Sequence, residues 1–225
     1  MAAGSKIAVF IEPGFKWQFA SALDWPGWAR RAKTEELAIE SLDNYLPRYA
    51  PIVVRAGLAP PTGTLAITER HPEPTVNADF GTLHEVAPSE LQPLSPEAGA
   101  RLASLLETEW AAFDEVANAA PAELRKGPRG GGRDTAQIVA HVRNAEAAYV
   151  RKMGLPREGP LWRATGGSGS VSADDSLALR AWITAALRDP EGLVTPPKGW
   201  PPRYAARRMG WHVLDHMWEI EDKSA

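Results

Sequence analysis

The N-terminal part of the chain alternates between short apolar runs and turn residues. Two runs, with Pro-Gly between them, predict a hairpin, and a later run predicts a third strand; they cover residues 6–12, 16–23 and 63–70. A helix is expected to begin at Thr34, whose side chain can cap it, and to end at Pro51. Residues 1–70 are therefore predicted to form a small β-β-α-β unit.

The pattern changes to helical periodicity in the second half of the chain. Four amphipathic segments, separated by Pro- and Gly-rich breakers, cover about 96–119, 134–153, 174–188 and 202–222. With no strand between them, they predict an up-down four-helix bundle, and the whole chain is expected to be α+β. We divide it into the unit 1–70, a connecting segment 71–95 with a short strand near Thr82–Val86, and the bundle 96–225. Gly166–Ser170 is expected to be a flexible loop.

Three of the five histidines lie in the predicted bundle at positions that suit a metal ion. His212 and His216 are four residues apart, so at about 100° per residue they share one face of the fourth helix. His141 lies on the second helix. All three border an apolar stripe, so they are expected to point into the bundle. Three convergent imidazoles with an open position are typical of a catalytic metal site. The spacing equally allows three hydrogen-bonded core histidines.

Three charged residues are candidates for the chemistry around these histidines. Glu109 falls in the apolar stripe of the first helix, where a carboxylate needs a partner or a proton. It could be a ligand, the partner of a ligand or a general base, or it could reach an arginine or solvent. Arg208 and Glu219 share the face of the two fourth-helix histidines. Arg208 could bind an anionic substrate group, and Glu219 could be a base or could orient His216. The alternative for both is a solvated surface residue.

Composition narrows the chemistry and the partners. The chain has 225 residues and no cysteine, which excludes disulfides, cysteine-bound zinc and a thiol nucleophile of its own. An enzyme would therefore use water or an external low-molecular-weight thiol on a small-molecule substrate. The net charge of −3 makes a nucleic-acid partner unexpected. No segment has the roughly 18 apolar residues of a membrane span, and we expect a cytoplasmic protein.

Around these histidines the C-terminal half, about 96–222, resembles the DinB-like four-helix bundle family. The family has one histidine on the second helix and an HxxxH pair on the fourth, here His141 with His212 and His216. Its members include bacillithiol- and mycothiol-dependent transferases and maleylpyruvate isomerase-like proteins. The resemblance implies a divalent metal ion held by three side chains, without fixing the reaction as transfer, isomerisation or hydrolysis. Three imidazoles suit Zn, Ni, Fe or Cu.

The N-terminal stretch, about 5–50, is similar to the HicB-like antitoxin fold. The similarity rests on Phe19–Gly27, which contains a Pro-Gly turn, and on the helix start Thr34–Ala38. Trp28 stands where that family commonly has a cysteine, and no DNA-binding appendage is recognisable. The resemblance implies a docking or dimerisation unit beside the bundle, compatible with a homodimer. The alternative function is therefore a non-catalytic binding or regulatory module in which this unit engages a protein partner.

Overall fold

The computed structural model describes residues 5–128, 131–166, 171–193 and 195–224, and its N-terminal part is built on a four-stranded sheet. The expected loop at Gly166–Ser170 lies, for residues 167–170, outside the described residues. The strands are β1 (Lys6–Pro13), β2 (Gln18–Ala22), β3 (Ala29–Ala32) and β4 (Thr64–Arg70). Their order is β3-β2-β1-β4. The pairs β1–β2 and β2–β3 are antiparallel, and β1–β4 is parallel.

The two central strands bury both of their faces, which explains their apolar character. On one face Val9, Ile11 and Ala20 join the main hydrophobic core. On the other face Phe19 packs edge-on against a tryptophan of the last helix, Trp211, with ring centroids 5.9 Å apart. The sheet therefore lies between its own helices and the last helix of the chain.

Two helices follow the hairpin where the sequence predicted one. They are α1 (Glu35–Asn44) and α2 (Leu46–Arg55). Thr34 caps α1 as expected, its hydroxyl accepting a hydrogen bond from the Leu37 amide at 3.3 Å. Pro51 does not end the helix but lies inside α2. A proline keeps a helical φ and costs one hydrogen bond, and the burial of Ile52 and Val53 offsets that loss.

The four predicted long helices are all present and form the bundle. They are α4 (Pro96–Ala119), α5 (Thr135–Met153), α7 (Ala173–Arg188) and α8 (Pro202–Ser224), with two short helices elsewhere, α3 (Val76–Phe80) and α6 (Gly159–Ala164). Each of α4 and α5 packs against both α7 and α8. The α+β class, with a small sheet followed by a helical bundle, is confirmed. In the described part of the chain, no helix combines the length and apolar character needed to cross a membrane.

The segment between the sheet and the bundle has no strand near Thr82–Val86, contrary to the prediction. The amides of His84 and Glu85 instead donate to Glu12 Oε2, each at 2.8 Å. Because a buried carboxylate from β1 satisfies these donors, the segment does not need a neighbouring strand.

Arg207 on α8 connects the bundle to the sheet and to the connecting segment. It is fully buried, and it donates to both oxygens of Glu90 at 2.6 and 2.8 Å. It also donates to Ser21 Oγ and to the Glu85 carbonyl, each at 2.8 Å, and it lies 3.4 Å from Glu12 Oε1. These bonds tie α8 to β1, to β2 and to the connecting segment. Apolar residues of both halves also belong to one core cluster.

Candidate metal centre

Three histidines from two helices meet inside the bundle. His141 comes from α5, and His212 and His216 come from successive turns of α8. Each offers one ring nitrogen, and these atoms all lie within 4.8 Å of one another. The expected convergence is therefore confirmed, and the three residues form a group that could hold a metal ion.

The spacing of the ring nitrogens suits a small divalent ion. Nε2 of His212 lies 3.1 Å from Nε2 of His141. Two nitrogens bound at about 2.0–2.1 Å to one tetrahedral ion are separated by about 3.3 Å, so little movement would be needed. The ring centroids of His141 and His212 lie 4.9 and 4.7 Å from that of His216. The donor set is therefore compact as well as convergent.

Burial favours the neutral, metal-binding form of two of these imidazoles, those of His212 and His141. His212 and His216 are buried, and His141 is half-buried. Burial lowers the pKa of His212 well below its ordinary value, and the neighbouring His216 and His141 lower it further. Burial is also the main cause that lowers the pKa of His141. A neutral imidazole has a free lone pair, so no proton has to be displaced from these two rings at neutral pH.

Glu219 is hydrogen-bonded to the third imidazole. Its Oε2 accepts a hydrogen bond from His216 Nδ1 at 2.8 Å, and its other oxygen accepts one from Lys223. The bond to His216 is the main reason that the pKa of Glu219 falls to about 2. Because the Nδ1–H of His216 is hydrogen-bonded to this carboxylate, its Nε2 is available to a metal, a common arrangement for ligating histidines. The contact between Glu219 and His216 is present, and the orienting role of Glu219 stays a prediction.

Arg208 lies one helical turn before His212, as its spacing implied. Its guanidinium carbon is 5.2 Å from the Trp211 ring centroid, 5.6 Å from that of Tyr149 and 5.9 Å from that of Trp200. No motif or spacing in the sequence marked these aromatic residues as neighbours of Arg208. Tyr149 did fall in the apolar stripe of the same helix as His141, and Trp211 directly precedes His212.

Glu109 is buried in the bundle, but the structure does not bring it to the histidines. A Cβ placed on Gly210 would lie 2.5 Å from Glu109 Oε2, and one on Gly27 would lie 2.9 Å from Oε1, so the carboxyl group sits between these glycines. Gly210 precedes His212 by two residues, about 200° around the helix, so Glu109 faces the opposite side of α8. Burial raises the pKa of Glu109 well above its ordinary value. Its predicted catalytic role stays a prediction.

These features define a class of helical-bundle proteins in which three convergent histidines could hold a metal ion. The donor set fits a borderline ion such as Zn²⁺, because three nitrogens converge and His216 has its carboxylate partner. The chain matches the DinB superfamily over residues 105–220, just over half of its length, and it belongs to this superfamily. No curated protein and no solved structure matches the chain. The family match does not include the N-terminal unit, so its HicB-like character stays a prediction.

Proposed function

We propose that the protein is a metal-dependent enzyme acting on a small-molecule substrate, with His141, His212 and His216 as the metal ligands. The observation that carries this proposal is the convergence of three ring nitrogens from two helices. A structural zinc site normally has four protein ligands, whereas three protein ligands leave a position for a reacting group.

Such an ion, Zn, Ni or Fe, would supply a Lewis-acidic centre that activates water or a thiol or polarises a carbonyl group. The chain itself contributes the positioning of the ligands. Because it has no cysteine, a thiol nucleophile would have to be an external low-molecular-weight thiol. The supported reaction classes are therefore transfer, isomerisation or hydrolysis with an external nucleophile.

Glu219 fits the role of a positioning residue better than that of a general base. Its carboxylate is already engaged by His216 and Lys223. A pKa of about 2 also makes it a weak proton acceptor near neutral pH, because an efficient base has a pKa near the working pH. Its contribution is to fix the tautomer and the orientation of His216.

The test is the metal content of the protein purified without chelators, compared with that of His212→Ala. We expect one divalent ion per chain in the parent protein and loss of that ion in the variant. His84→Ala is the matched control, because His84 is an exposed histidine in the connecting segment and should leave the metal content unchanged. A metal-free parent protein, or equal metal content in His212→Ala, would contradict the proposal. Metal binding with no turnover of any thiol or hydrolytic substrate would favour the binding-module alternative.

A further inference from the structure

Arg208 is a cation whose buried donors have no acceptor in the part of the chain that the structure describes. Its Nε and Nη1 atoms are shielded from solvent and make no hydrogen bond within the described residues. Within the same residues, no carboxylate forms an ion pair with it, whereas every nitrogen of the adjacent Arg207 is hydrogen-bonded. Leaving buried donors of a charged group unpaired costs free energy, so the arrangement calls for an acceptor from outside the chain.

The surroundings of Arg208 are aromatic on several sides. The rings of Tyr149, Trp200 and Trp211 all lie within 6 Å of its guanidinium carbon. Cation–π contacts of this kind stabilise the charge but accept no strong hydrogen bond. The same rings offer flat apolar surfaces to whatever molecule supplies the acceptor.

Two of these rings also border the metal ligands. The Tyr149 and Trp211 ring centroids lie 5.8 and 5.9 Å from that of His212. Arg208 and His212 are four residues apart on α8, so their side chains project from the same face. A ligand held by Arg208 would therefore lie beside the three histidines.

We propose that Arg208, Tyr149, Trp200 and Trp211 form the binding site for a small organic carboxylate with a planar apolar body. The carboxylate would pair with the planar guanidinium fork, a geometry that gives two parallel hydrogen bonds, and the body would lie against the rings. Only the assignment of this ligand as the substrate rests on the proposed metal-dependent function. The binding site itself needs no metal.

Benzoate is a suitable probe, because it carries one carboxylate on a flat ring and can be followed by tryptophan fluorescence and by calorimetry. The parent protein should bind benzoate saturably, and it should bind benzamide, the neutral analogue, and inorganic phosphate more weakly. Arg208→Gln should weaken benzoate binding by at least about 10-fold, because a charge-assisted pair is lost. Arg203→Gln is the matched control. It removes an arginine of the same helix that donates to the Pro93 carbonyl at 3.5 Å and makes no cation–π contact with the three rings among the described residues, so it should leave benzoate binding unchanged.

Metal content is measured on the same samples, so the two proposals can fail separately. Arg208→Gln should keep its metal and lose benzoate, while His212→Ala loses the metal. Absence of saturable benzoate binding, equal binding by Arg208→Gln, or phosphate binding as tight as that of benzoate would overturn the carboxylate site. None of these outcomes would change the measured metal content, which tests the metal proposal separately. Circular dichroism of Arg208→Gln should match the parent spectrum, because the Nε and Nη1 donors make no hydrogen bond within the described residues.

Discussion

Replacing Arg207 with methionine tests how strongly the sheet and the bundle depend on each other. Methionine keeps an apolar stem of similar length but removes the bonds to Glu90, Ser21 and the Glu85 carbonyl. Glu90 and Glu12 are both buried and would lose their cation. Removing one partner of a buried ion pair costs about 3–5 kcal/mol, because the remaining charge is left uncompensated. In a chain of this length that corresponds to a decrease of roughly 6–20 °C in the unfolding midpoint.

The pH dependence of this loss separates charge from packing. Burial raises the pKa of Glu12 even though Arg207 is nearby. Without the guanidinium, the pKa of Glu12 in the folded variant should rise further, while that of the unfolded chain stays the same. The folded variant would then hold a proton that the unfolded chain releases as the pH rises above the ordinary range of a glutamate. Its stability should therefore fall with increasing pH, and the gap from the parent should narrow towards about pH 5.

The assay is urea unfolding followed by tryptophan fluorescence and far-UV circular dichroism at several pH values. Arg203→Met is the matched control, because this arginine lies one turn earlier on α8 and its one hydrogen bond within the described residues is long, 3.5 Å to the Pro93 carbonyl. It should change the free energy of unfolding by less than about 1 kcal/mol. An equally small change for Arg207→Met, or a loss that does not vary with pH, would refute the reasoning.

Two further substitutions test residues around α8. Glu219→Ala should leave the fold intact and lower the metal affinity about 10–100-fold, because His216 loses its orienting carboxylate; competition with a chelator measures this, and an unchanged affinity would count against the orienting role. Glu109→Gln should flatten the pH dependence of stability. Burial raises the pKa of Glu109, so the folded parent keeps a proton that the unfolded chain loses, and its stability falls as the pH rises above the ordinary glutamate pKa. Urea unfolding at several pH values checks this; identical slopes would contradict it, and a lower metal affinity in Glu109→Gln would instead support the sequence-based catalytic role.

The long helices and the histidine cluster were predictable because each rests on a local periodicity. A four-residue spacing places His212 and His216 on one face wherever the helix lies, and the apolar stripe of α5 orients His141 inward. Their meeting then needs only that α5 and α8 pack together, as they do. The capping of α1 by Thr34 was predictable for the same local reason.

The features that the sequence did not indicate depend on tertiary partners. β3 reads Ala-Arg-Arg-Ala, without β-branched residues, and it is a strand because β2 offers an edge after the turn at Gly27, which has φ +87°. The sequence also did not reveal that Glu109 lies on the side of α8 opposite to the histidines. A position in the apolar stripe predicts burial, but only the structure shows that this part of α4 faces Gly27 and Gly210 rather than the histidines.

The two faces of α8 connect the sheet to the candidate metal centre. One face carries Arg208, His212 and His216 towards α5. The other approaches the sheet so closely at Gly210 that a Cβ there would lie 2.8 Å from the Gly27 backbone nitrogen. A side chain can rotate away from such a close approach, whereas the backbone cannot. This contact and the hydrogen bonds of Arg207 therefore limit both the rotation and the translation of α8. The ring nitrogens of His212 and His216 can meet that of His141 only while α8 keeps this position. The N-terminal unit therefore contacts α8 on the face opposite to the histidine cluster and limits how far that helix can shift.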